Sequence, residues 1–268
     1  MTTLIRAFLI AAASLGAAGA HATTITVTPQ DMGGPDKWNL IYTSGTGSAA
    51  ITDTNVRSGN GSVEMALGQK DGKADFGYSW GYVAGRTLAN LDALSYDWLR
   101  SAGGSAVAHL QPAVRLKYDT DGKFTAGNND TGYLVWEQVY NGGGLVVDTW
   151  TTSDILGGNF WMRQLSPGNT IYNYNTDLAE WISSARPGSP ADVLNANSAI
   201  TGIEFGVGSG WSGSFTGFVD NVTVGFKGEA TTTWNFETRS SDVPEPGSFA
   251  LLGLGLVAAL AARKRRRA

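Results

Sequence analysis

The sequence predicts an all-β sandwich over residues 23–239, flanked by two short terminal segments of a different character. Two observations predict this fold. Short stretches that alternate apolar and polar residues recur along the region, and clusters of Gly, Asn and Asp separate them, as turns separate strands. No internal repeat and no heptad pattern is present, which argues against a repeat protein and a coiled coil. The length suits a single all-β domain.

Seven stretches carry the alternation and are predicted as strands with one buried face. They are Thr24–Thr28, Ala50–Thr52, Ser62–Leu67, Val114–Tyr118, Tyr133–Glu137, Ile203–Val207 and Phe218–Val224. The turn-forming clusters include residues 57–61, 119–122, 127–130 and 141–144. Strands joined in this way pack as two sheets around one core, so the pattern is typical of a β-sandwich.

Two further elements are predicted besides these strands. Asp177–Ala185 is expected to form a short helix, because Leu178, Trp181 and Ile182 share one face and a capping residue precedes them. Thr231–Thr238 alternates around a Trp and a Phe, which favours an extra edge strand. The start of a stalk is the alternative for this second segment.

The amino-terminal segment, residues 1–22, has the layout of a secretory signal peptide. Arg6 is its one cation, an apolar stretch runs from Ala7 to Ala18, and Ala20-His21-Ala22 forms a small-x-small cleavage site. No period of 3.6 residues appears, so an ordinary amphipathic helix is not favoured. The body is therefore expected to be exported.

The carboxyl-terminal segment is predicted as a linker, a transmembrane helix and a cytoplasmic tail. The linker, residues 240–247, contains Pro244-Glu245-Pro246, and residues 248–262 are apolar. Residues 263–268 contain five adjacent cations, namely Arg263, Lys264, Arg265, Arg266 and Arg267. These charges stay on the cytoplasmic side, so the body lies outside the inner membrane.

The apolar stretch is short for a permanent anchor. The 16 residues from Gly247 to Ala262 form a helix of about 24 Å, whereas a hydrocarbon core is about 30 Å thick. Snorkelling arginines and local thinning of the bilayer can make up the difference. A transient span is therefore an alternative to permanent anchoring.

The order of these features resembles the PEP-CTERM sorting signal of Gram-negative bacteria. The resemblance covers residues 243–268: Val243-Pro244-Glu245-Pro246, then the apolar helix, then the Arg/Lys cluster. It implies recognition by an exosortase, a membrane protease or transpeptidase, near Pro244-Glu245-Pro246. Proteins with this signal are typically surface proteins of bacteria that make exopolysaccharide and biofilm matrix. The signal does not reveal what the body does.

Composition restricts the function of the exported body. Without Arg6 and the five terminal cations, 13 of the 19 basic residues remain; without Glu245, 22 of the 23 acidic residues remain, so its net charge is about −9. Such an acidic domain argues against nucleic acid as a partner, because binding needs cations that neutralise phosphates. Cysteine is absent, so stability has to come from the core and from any bound cation.

Few catalytic constellations are available to the body. It contains one histidine, His109, and no cysteine, which excludes a histidine-rich zinc site and a thiol nucleophile. His109 lies in an alternating run and is expected on a sheet face or in the core. Glycoside hydrolysis needs only two carboxylates, and Glu137 and Glu204 on predicted strands could supply them. The Glu-x-Asp-x-x-Glu strand motif that a laminarinase-like jelly-roll hydrolase would be expected to carry is absent. A non-catalytic role is therefore favoured.

Three places resemble the jelly-roll β-sandwich of carbohydrate-binding modules. They are Trp38 with the strand and Ser-Gly turn up to Met65, the strand Gly202–Phe205, and the strand Phe218–Val222. The resemblance implies a jelly-roll sandwich in which an Asp of the last strand helps to hold a structural Ca²⁺. By position this Asp is Asp220; an Asp that only faces solvent or bonds a turn is the alternative.

A second short acidic motif has some of the features of a calcium loop. Asp119-Thr120-Asp121-Gly122 resembles half of a calcium loop, but it lacks the later acidic positions and the final Glu. A hairpin turn is therefore the favoured interpretation.

Sugar binding is the chemistry that the aromatic content supports. All nine Trp residues lie in the body, and indole rings stack on the apolar faces of pyranose sugars. Trp211, in Gly208-Ser209-Gly210-Trp211-Ser212-Gly213, is expected in a loop and is the first candidate for ligand contact; Trp161 is the second. Trp136 and Trp98 are expected in the core.

The sequence thus predicts an exported surface or matrix protein that an exosortase sorts. It is expected to be non-catalytic and to associate with extracellular polysaccharide. After export it is expected to be held in the inner membrane by its carboxyl terminus and then to reach the cell surface or the extracellular matrix. A secreted carbohydrate-active hydrolase with paired carboxylates is the alternative.

Overall fold

The computed structural model describes residues 22–69, 71–122, 130–144, 146–165, 170–171, 173–183 and 194–240. The predicted membrane helix, the basic tail, Pro244-Glu245-Pro246 and all but the last residue of the predicted signal peptide lie outside these ranges. Within them, no helix has the length and apolar character that crossing a membrane requires.

The described residues form an all-β sandwich of two seven-stranded sheets with one short helix. The strands are β1 Thr23–Val27, β2 Trp38–Ser44, β3 Gly47–Thr52, β4 Ser62–Leu67, β5 Lys73–Ser79, β6 Leu91–Arg100, β7 Ala113–Asp119, β8 Thr131–Trp136, β9 Thr151–Asp154, β10 Phe160–Gln164, β11 Thr170–Ile171, β12 Ala199–Gly208, β13 Phe215–Phe226 and β14 Thr232–Phe236. The helix is α1 Leu178–Trp181, and three short 3₁₀ turns occur at Pro29–Asp31, Leu88–Asn90 and Gln138–Tyr140.

One sheet, called the front sheet, has the strand order β11-β10-β8-β7-β12-β5-β2 and is antiparallel throughout. The other, called the back sheet, is organised around the long strand β13. Strand β6 pairs with one side of β13, while β4 and β14 share the other side. Strands β9, β3 and β1 lie outside β6, β4 and β14, and β1 runs parallel to β14.

Aromatic side chains from both sheets meet between them. Trp38 stacks on Phe76 and Phe205 of the front sheet, with ring centroids 5.7 and 6.1 Å apart. Its ring also meets the edges of Trp234 and Phe236 from the back sheet at 5.6 and 5.0 Å. Burial of each such side chain contributes roughly 1.5–3 kcal/mol, so this cluster is a main source of cohesion between the sheets.

All seven predicted strands lie where strands are observed, and the predicted helix is shorter than expected. Helix α1 begins after Asp177, whose side chain accepts a hydrogen bond from Glu180 N at 2.8 Å. It ends at Trp181, because the Ile182 N–H is shared between two carbonyl groups in a final tight turn. Residues 184–185 of the predicted helix are outside the described ranges.

Two expectations about neighbouring segments were wrong. The strand predicted within Thr231–Thr238 exists as β14, but it is not an edge strand, because β1 pairs with its outer side in the register Thr23 to Thr232. His109 lies exposed in the loop before β7 rather than on a sheet or in the core. Short-range alternation at residues 106–110 therefore did not indicate a strand.

Candidate functional site

A cleft of about 380 Å³ crosses the outer face of the front sheet. Side chains from β5, β7, β8, β10 and β12 point into it, because successive residues of a strand face opposite sides. On β12, for example, Phe205 and Val207 face the core, while Glu204 and Gly206 face the cleft. The cleft is lined mainly by charged, aromatic and glycine residues: Lys73, Asp75, Arg115, Tyr133, Glu137, Tyr140, Trp161, Arg163, Tyr174, Glu204, Gly206, Gly208 and Trp211.

An ion-pair network forms the floor of the cleft. Arg115 Nη1 lies 2.7 Å from Asp75 Oδ1 and 2.8 Å from Glu204 Oε1. Lys73 Nζ lies 2.6 Å from the other oxygen of Asp75. Burial by itself lowers the pKa of Arg115, but the charges of Asp75 and Glu204 outweigh it and raise that pKa. Arg115 is therefore firmly held as a cation between the two carboxylates.

A glycine on β12 makes room for this network. A Cβ atom on Gly206 would lie 2.1 Å from Arg115 Nη2 and 2.3 Å from its Cζ. A real Cβ does not come so close, so a side chain at this position would displace the guanidinium from its place between Asp75 and Glu204.

One oxygen of the floor is enclosed beneath the cleft. Glu204 is 2% exposed, and its Oε2, which takes no part in the ion pairs, has almost no accessible surface. Tyr133 faces this carboxylate: burial first, then the charge of Glu204, and less strongly a hydrogen bond to Glu204, raise the pKa of Tyr133 to about 12. The phenol hydroxyl consequently stays neutral.

Aromatic side chains form the walls of the cleft. Trp161 donates a hydrogen bond from Nε1 to Glu137 Oε2 at 2.8 Å. Tyr140 and Tyr174 stack on each other with ring centroids 3.8 Å apart. Trp211 meets the edge of the buried Phe215 ring at 5.2 Å and leaves part of its own surface exposed. Flat apolar surface therefore borders a floor of hydrogen-bonding groups.

Trp211 reaches the cleft through an unusual loop. Gly208, Ser209, Gly210 and Gly213 all have positive φ angles, between 57° and 102°. Glycine adopts this region without strain. The turn between β12 and β13 can therefore carry the Trp211 side chain back over the front sheet, as a loop position predicted.

The predicted metal ligand Asp220 is on the other sheet, away from the cleft. It is fully buried on β13, and its two oxygens accept backbone hydrogen bonds from Phe236 N at 2.9 Å and Ser58 N at 3.2 Å. Because N–H donors point at this carboxylate, the residues present do not fit a cation site. Burial raises the pKa of Asp220 to about 7, more than these hydrogen bonds lower it.

The acidic motif at the end of β7 forms the expected turn. Asp119 Oδ1 accepts a hydrogen bond from Gly122 N at 2.9 Å, which closes the turn. Carboxylate oxygens of Asp119, Asp121 and Asp130 lie within 4.8 Å of one another. Burial, and then the charge of Asp130, raise the pKa of Asp119. Among the described residues, this is the one cluster of three carboxylates whose oxygens lie close enough together to hold a metal ion. No other feature of the cluster indicates a ligand.

The cleft brings together four residues that the sequence singled out for different reasons. Trp161 and Trp211 were candidates for ligand contact, and Glu137 and Glu204 were candidates for paired carboxylates; all four line the cleft. Trp136 and Trp98 are each 3% exposed and belong to the core, as predicted.

Other cleft residues were missed at the sequence level. They are Lys73, Asp75, Arg115, Tyr133, Tyr140, Arg163 and Tyr174. A signal was present for the first two, because β5 alternates polar Lys73 and Asp75 with apolar Ala74 and Phe76. Tyr140 and Tyr174 lie outside the strands, where no alternation indicates their direction.

The comparison of the chain with protein families matches residues 242–267 to the PEP-CTERM protein-sorting motif. The chain carries a PEP-CTERM sorting motif at its carboxyl terminus. The motif implies an exported, cell-surface protein that an exosortase processes. No curated protein matches the chain.

The sandwich also resembles solved structures of carbohydrate-binding modules. A family 11 module from Clostridium thermocellum, in complex with a β-1,3-1,4-mixed-linked tetrasaccharide, has 13% identity and a TM-score of 0.37, over 78% of this chain and 95% of the module. A family 30 module of a cellulosomal cellulase from the same organism has 9% identity and a TM-score of 0.42, over 73% and 96%. These similarities concern the fold.

Proposed function

We propose that the exported body binds a neutral polysaccharide in the front-sheet cleft and does not cleave it. The observation that carries this proposal is the cleft itself, in which Trp161, Trp211 and the Tyr140–Tyr174 pair border a floor of charged hydrogen-bonding groups. Ligand hydroxyl groups can exchange hydrogen bonds with the polar side chains that line this floor. Sugars are the common biological ligands that present many hydroxyl groups at close spacing.

The aromatic walls and the charge balance support the same ligand class. Trp161, Trp211 and the Tyr140–Tyr174 pair offer flat apolar surface on which pyranose faces stack. Three cations and three carboxylates line the cleft: Lys73, Arg115, Arg163, Asp75, Glu137 and Glu204. Because these charges balance and the body is acidic overall, a neutral glycan is favoured over a polyanion.

The proposal also includes the segments at the two ends of the chain and the export route. We propose a signal peptide at residues 1–22, a jelly-roll sandwich at 23–239 and a membrane helix at 248–262. Exosortase would act near Pro244-Glu245-Pro246, and the released body would associate with exopolysaccharide of the biofilm matrix. The sorting motif supports the export route, and the cleft supports the polysaccharide partner.

Hydrolysis is the second candidate function, because Glu137 and Glu204 line the same cleft. Burial raises the pKa of Glu137, as a general acid requires. Both carboxylates are nevertheless engaged, Glu204 by Arg115 and Glu137 by Trp161. Release of reducing ends from glucans that disappears in the Glu137→Gln, Glu204→Gln double variant would support hydrolysis over binding alone.

The binding proposal is tested with the purified full-length protein on immobilised neutral glucans and on exopolysaccharide from the source bacterium. Trp161→Ala and Trp211→Ala should each weaken retention at least about tenfold, because stacking on an aromatic ring is lost. Tyr82→Ala is the matched control, since Tyr82 is 53% exposed and lies outside the cleft. Unchanged retention in both tryptophan variants, with folding intact, refutes the proposal.

A further inference from the structure

The Glu137 carboxylate links the backbone of the front sheet to an aromatic wall of the cleft. Glu137 directly follows β8, and its Oε2 accepts the hydrogen bond from Trp161 Nε1. Trp161 lies on β10, which pairs with β8 so that Trp161 is opposite Val135, two residues before Glu137. The donor thus lies on β10 and the acceptor directly follows β8, and the hydrogen bonds between these two strands fix the distance between the two backbones.

The geometry restricts how the Trp161 ring can turn. A tryptophan side chain rotates about two bonds, and the indole ring has one donor, Nε1. An acceptor held on the neighbouring strand therefore selects one ring orientation. The Trp161 side chain is only partly buried, so core packing alone does not hold it.

The surroundings of Glu137 are mixed in charge. Burial raises the pKa of Glu137, whereas the hydrogen bond from Trp161 and the positive charges of Arg115 and His109 lower it, with burial prevailing. The Glu137 charge in turn contributes to the raised pKa of Tyr96 on β6, after the larger effect of burial. The remaining charged groups of the cleft are Lys73, Asp75, Arg163 and Glu204.

We infer that Glu137 is a positioning residue whose ionised carboxylate holds Trp161 in the orientation that stacks on the polysaccharide, so that acidification weakens binding. This inference rests on the proposed function of the cleft. An ionised acceptor forms a stronger hydrogen bond than a neutral one. When Glu137 is protonated, the Trp161 ring can adopt more orientations. Binding of a glycan then has to restrict the ring to one of them, and this loss of conformational entropy lowers the affinity.

The direction of the pH dependence follows from the ionisation. Affinity is highest where Glu137 is ionised and falls as the pH drops through its pKa, which lies above the usual 4.5. Calorimetry measures the affinity of the full-length protein for one neutral glucan, the one that the protein retains most strongly. The measurement is repeated at several pH values between neutral pH and about pH 4. The wild type should lose about three- to tenfold in affinity.

Two variants separate positioning from a merely structural role. Glu137→Gln keeps an acceptor for Trp161 but cannot ionise, so it should bind more weakly at neutral pH and show a flat profile in this range. Trp161→Phe removes the donor. The double variant Glu137→Gln, Trp161→Phe should therefore have the same affinity and the same pH profile as Trp161→Phe alone. If Glu137 had a merely structural role, the double variant would bind more weakly than Trp161→Phe. Parallel pH profiles in the wild type and Glu137→Gln overturn the inference.

A measurement without glycan keeps this test separate from that of the proposed function. The fluorescence of Trp161, taken as the difference between the wild type and Trp161→Phe, should change with pH and should stay constant in Glu137→Gln. If it behaves so while the wild type retains no glucan, the polysaccharide proposal fails and the positioning of Trp161 stands. A pH-independent difference overturns the positioning role.

Discussion

The back sheet buries Asp97 and Asp220 and, just after β14, Glu237, whereas the front sheet buries Asp75 and Glu204 beneath the cleft. Buried carboxylates are costly in both places, because an ion leaves water. The two sheets differ in how completely the oxygens of these groups are satisfied.

Every carboxylate oxygen of the back-sheet group accepts a hydrogen bond. Asp220 accepts from Phe236 N and Ser58 N, and Glu237 accepts from Asn60 N and Asn235 Nδ2. The oxygens of Asp97 accept from Thr152 Oγ1 at 2.5 Å, and from Arg57 Nε and Asn221 Nδ2 at 2.8 Å each. These groups tie the 57–61 turn to β6, β13 and β14, and none is left for a ligand.

Beneath the cleft, three of the four oxygens of Asp75 and Glu204 are held by Arg115 and Lys73, which themselves line the cleft, and the buried Glu204 Oε2 takes no part in the ion pairs. The comparison teaches that a buried charge alone does not indicate a function. The back-sheet carboxylates are bonded within the fold alone, whereas those of the front sheet belong to the floor of a cleft that is open to a ligand.

The sharpest way to break this comparison is to make the same change in both sheets. Asp220→Asn replaces one acceptor by an NH₂ group that must face the N–H of Ser58 or Phe236, so the free energy of unfolding should fall by about 2–3 kcal/mol. Glu204→Gln keeps an oxygen for Arg115, whose other charged partner Asp75 remains, and should lose less, about 1–2 kcal/mol. Urea denaturation measures both, and equal losses would contradict the distinction.

The pH dependence of stability sharpens the same point for Asp220. Because its pKa is raised from 3.8 to about 7 by burial, the folded state binds this proton more tightly than the unfolded state does. The contribution of Asp220 to stability is thus fully present below about pH 4 and is lost as the pH rises towards 7, by roughly 1.4 kcal/mol per pH unit. The difference between wild type and Asp220→Asn in denaturation at several pH values isolates it. A difference that does not vary with pH would disprove it.

A smaller effect is expected from a methyl group beneath the cleft. Gly206→Ala would push the Arg115 guanidinium away from Asp75 and Glu204, with a loss of about 1–2 kcal/mol in stability and weaker glucan binding. Gly157→Ala is the control, because nothing lies within 4 Å of its added Cβ. Thermal melts and retention on glucan compare the two, and identical behaviour would show that the position of Arg115 does not matter.

The smallest effect is expected from metal removal. Since backbone N–H groups already occupy the Asp220 oxygens, a chelator should change the Tm by less than about 1 °C. A decrease of several degrees, restored by Ca²⁺ and absent in Asp220→Asn, would revive the structural calcium site expected from the sequence.

Much of the fold could be predicted because its signal is local. The alternation in Ser62–Leu67 reproduces β4 without error, and the glycines around Trp211 indicated a loop. Strand order and edges could not be predicted, since they depend on partners far away in the chain. Strand β14 became an interior strand only because β1, over 200 residues earlier, pairs with it.

The site was predicted in part for the same reason. The sequence indicates Trp161, Trp211, Glu137 and Glu204 one by one. Their common location depends on the pairing of β12 with β7, of β7 with β8 and of β8 with β10. Alternation indicates that Lys73 and Arg115 face away from the core, but it does not indicate what they contact. Only the register that brings Arg115 opposite Glu204, with Gly206 beside it, gives them a role.

The measurement that tests the account most directly is the affinity of Glu204→Gln for the neutral glucan that the wild type retains, determined by calorimetry alongside Asp220→Asn. Glu204→Gln should bind about tenfold more weakly while it remains folded, because the charge that holds Arg115 in the floor of the cleft is lost. Folded Asp220→Asn should bind as the wild type does. Wild-type affinity in Glu204→Gln would contradict the account, since the ion-pair network beneath the cleft would then play no part in binding.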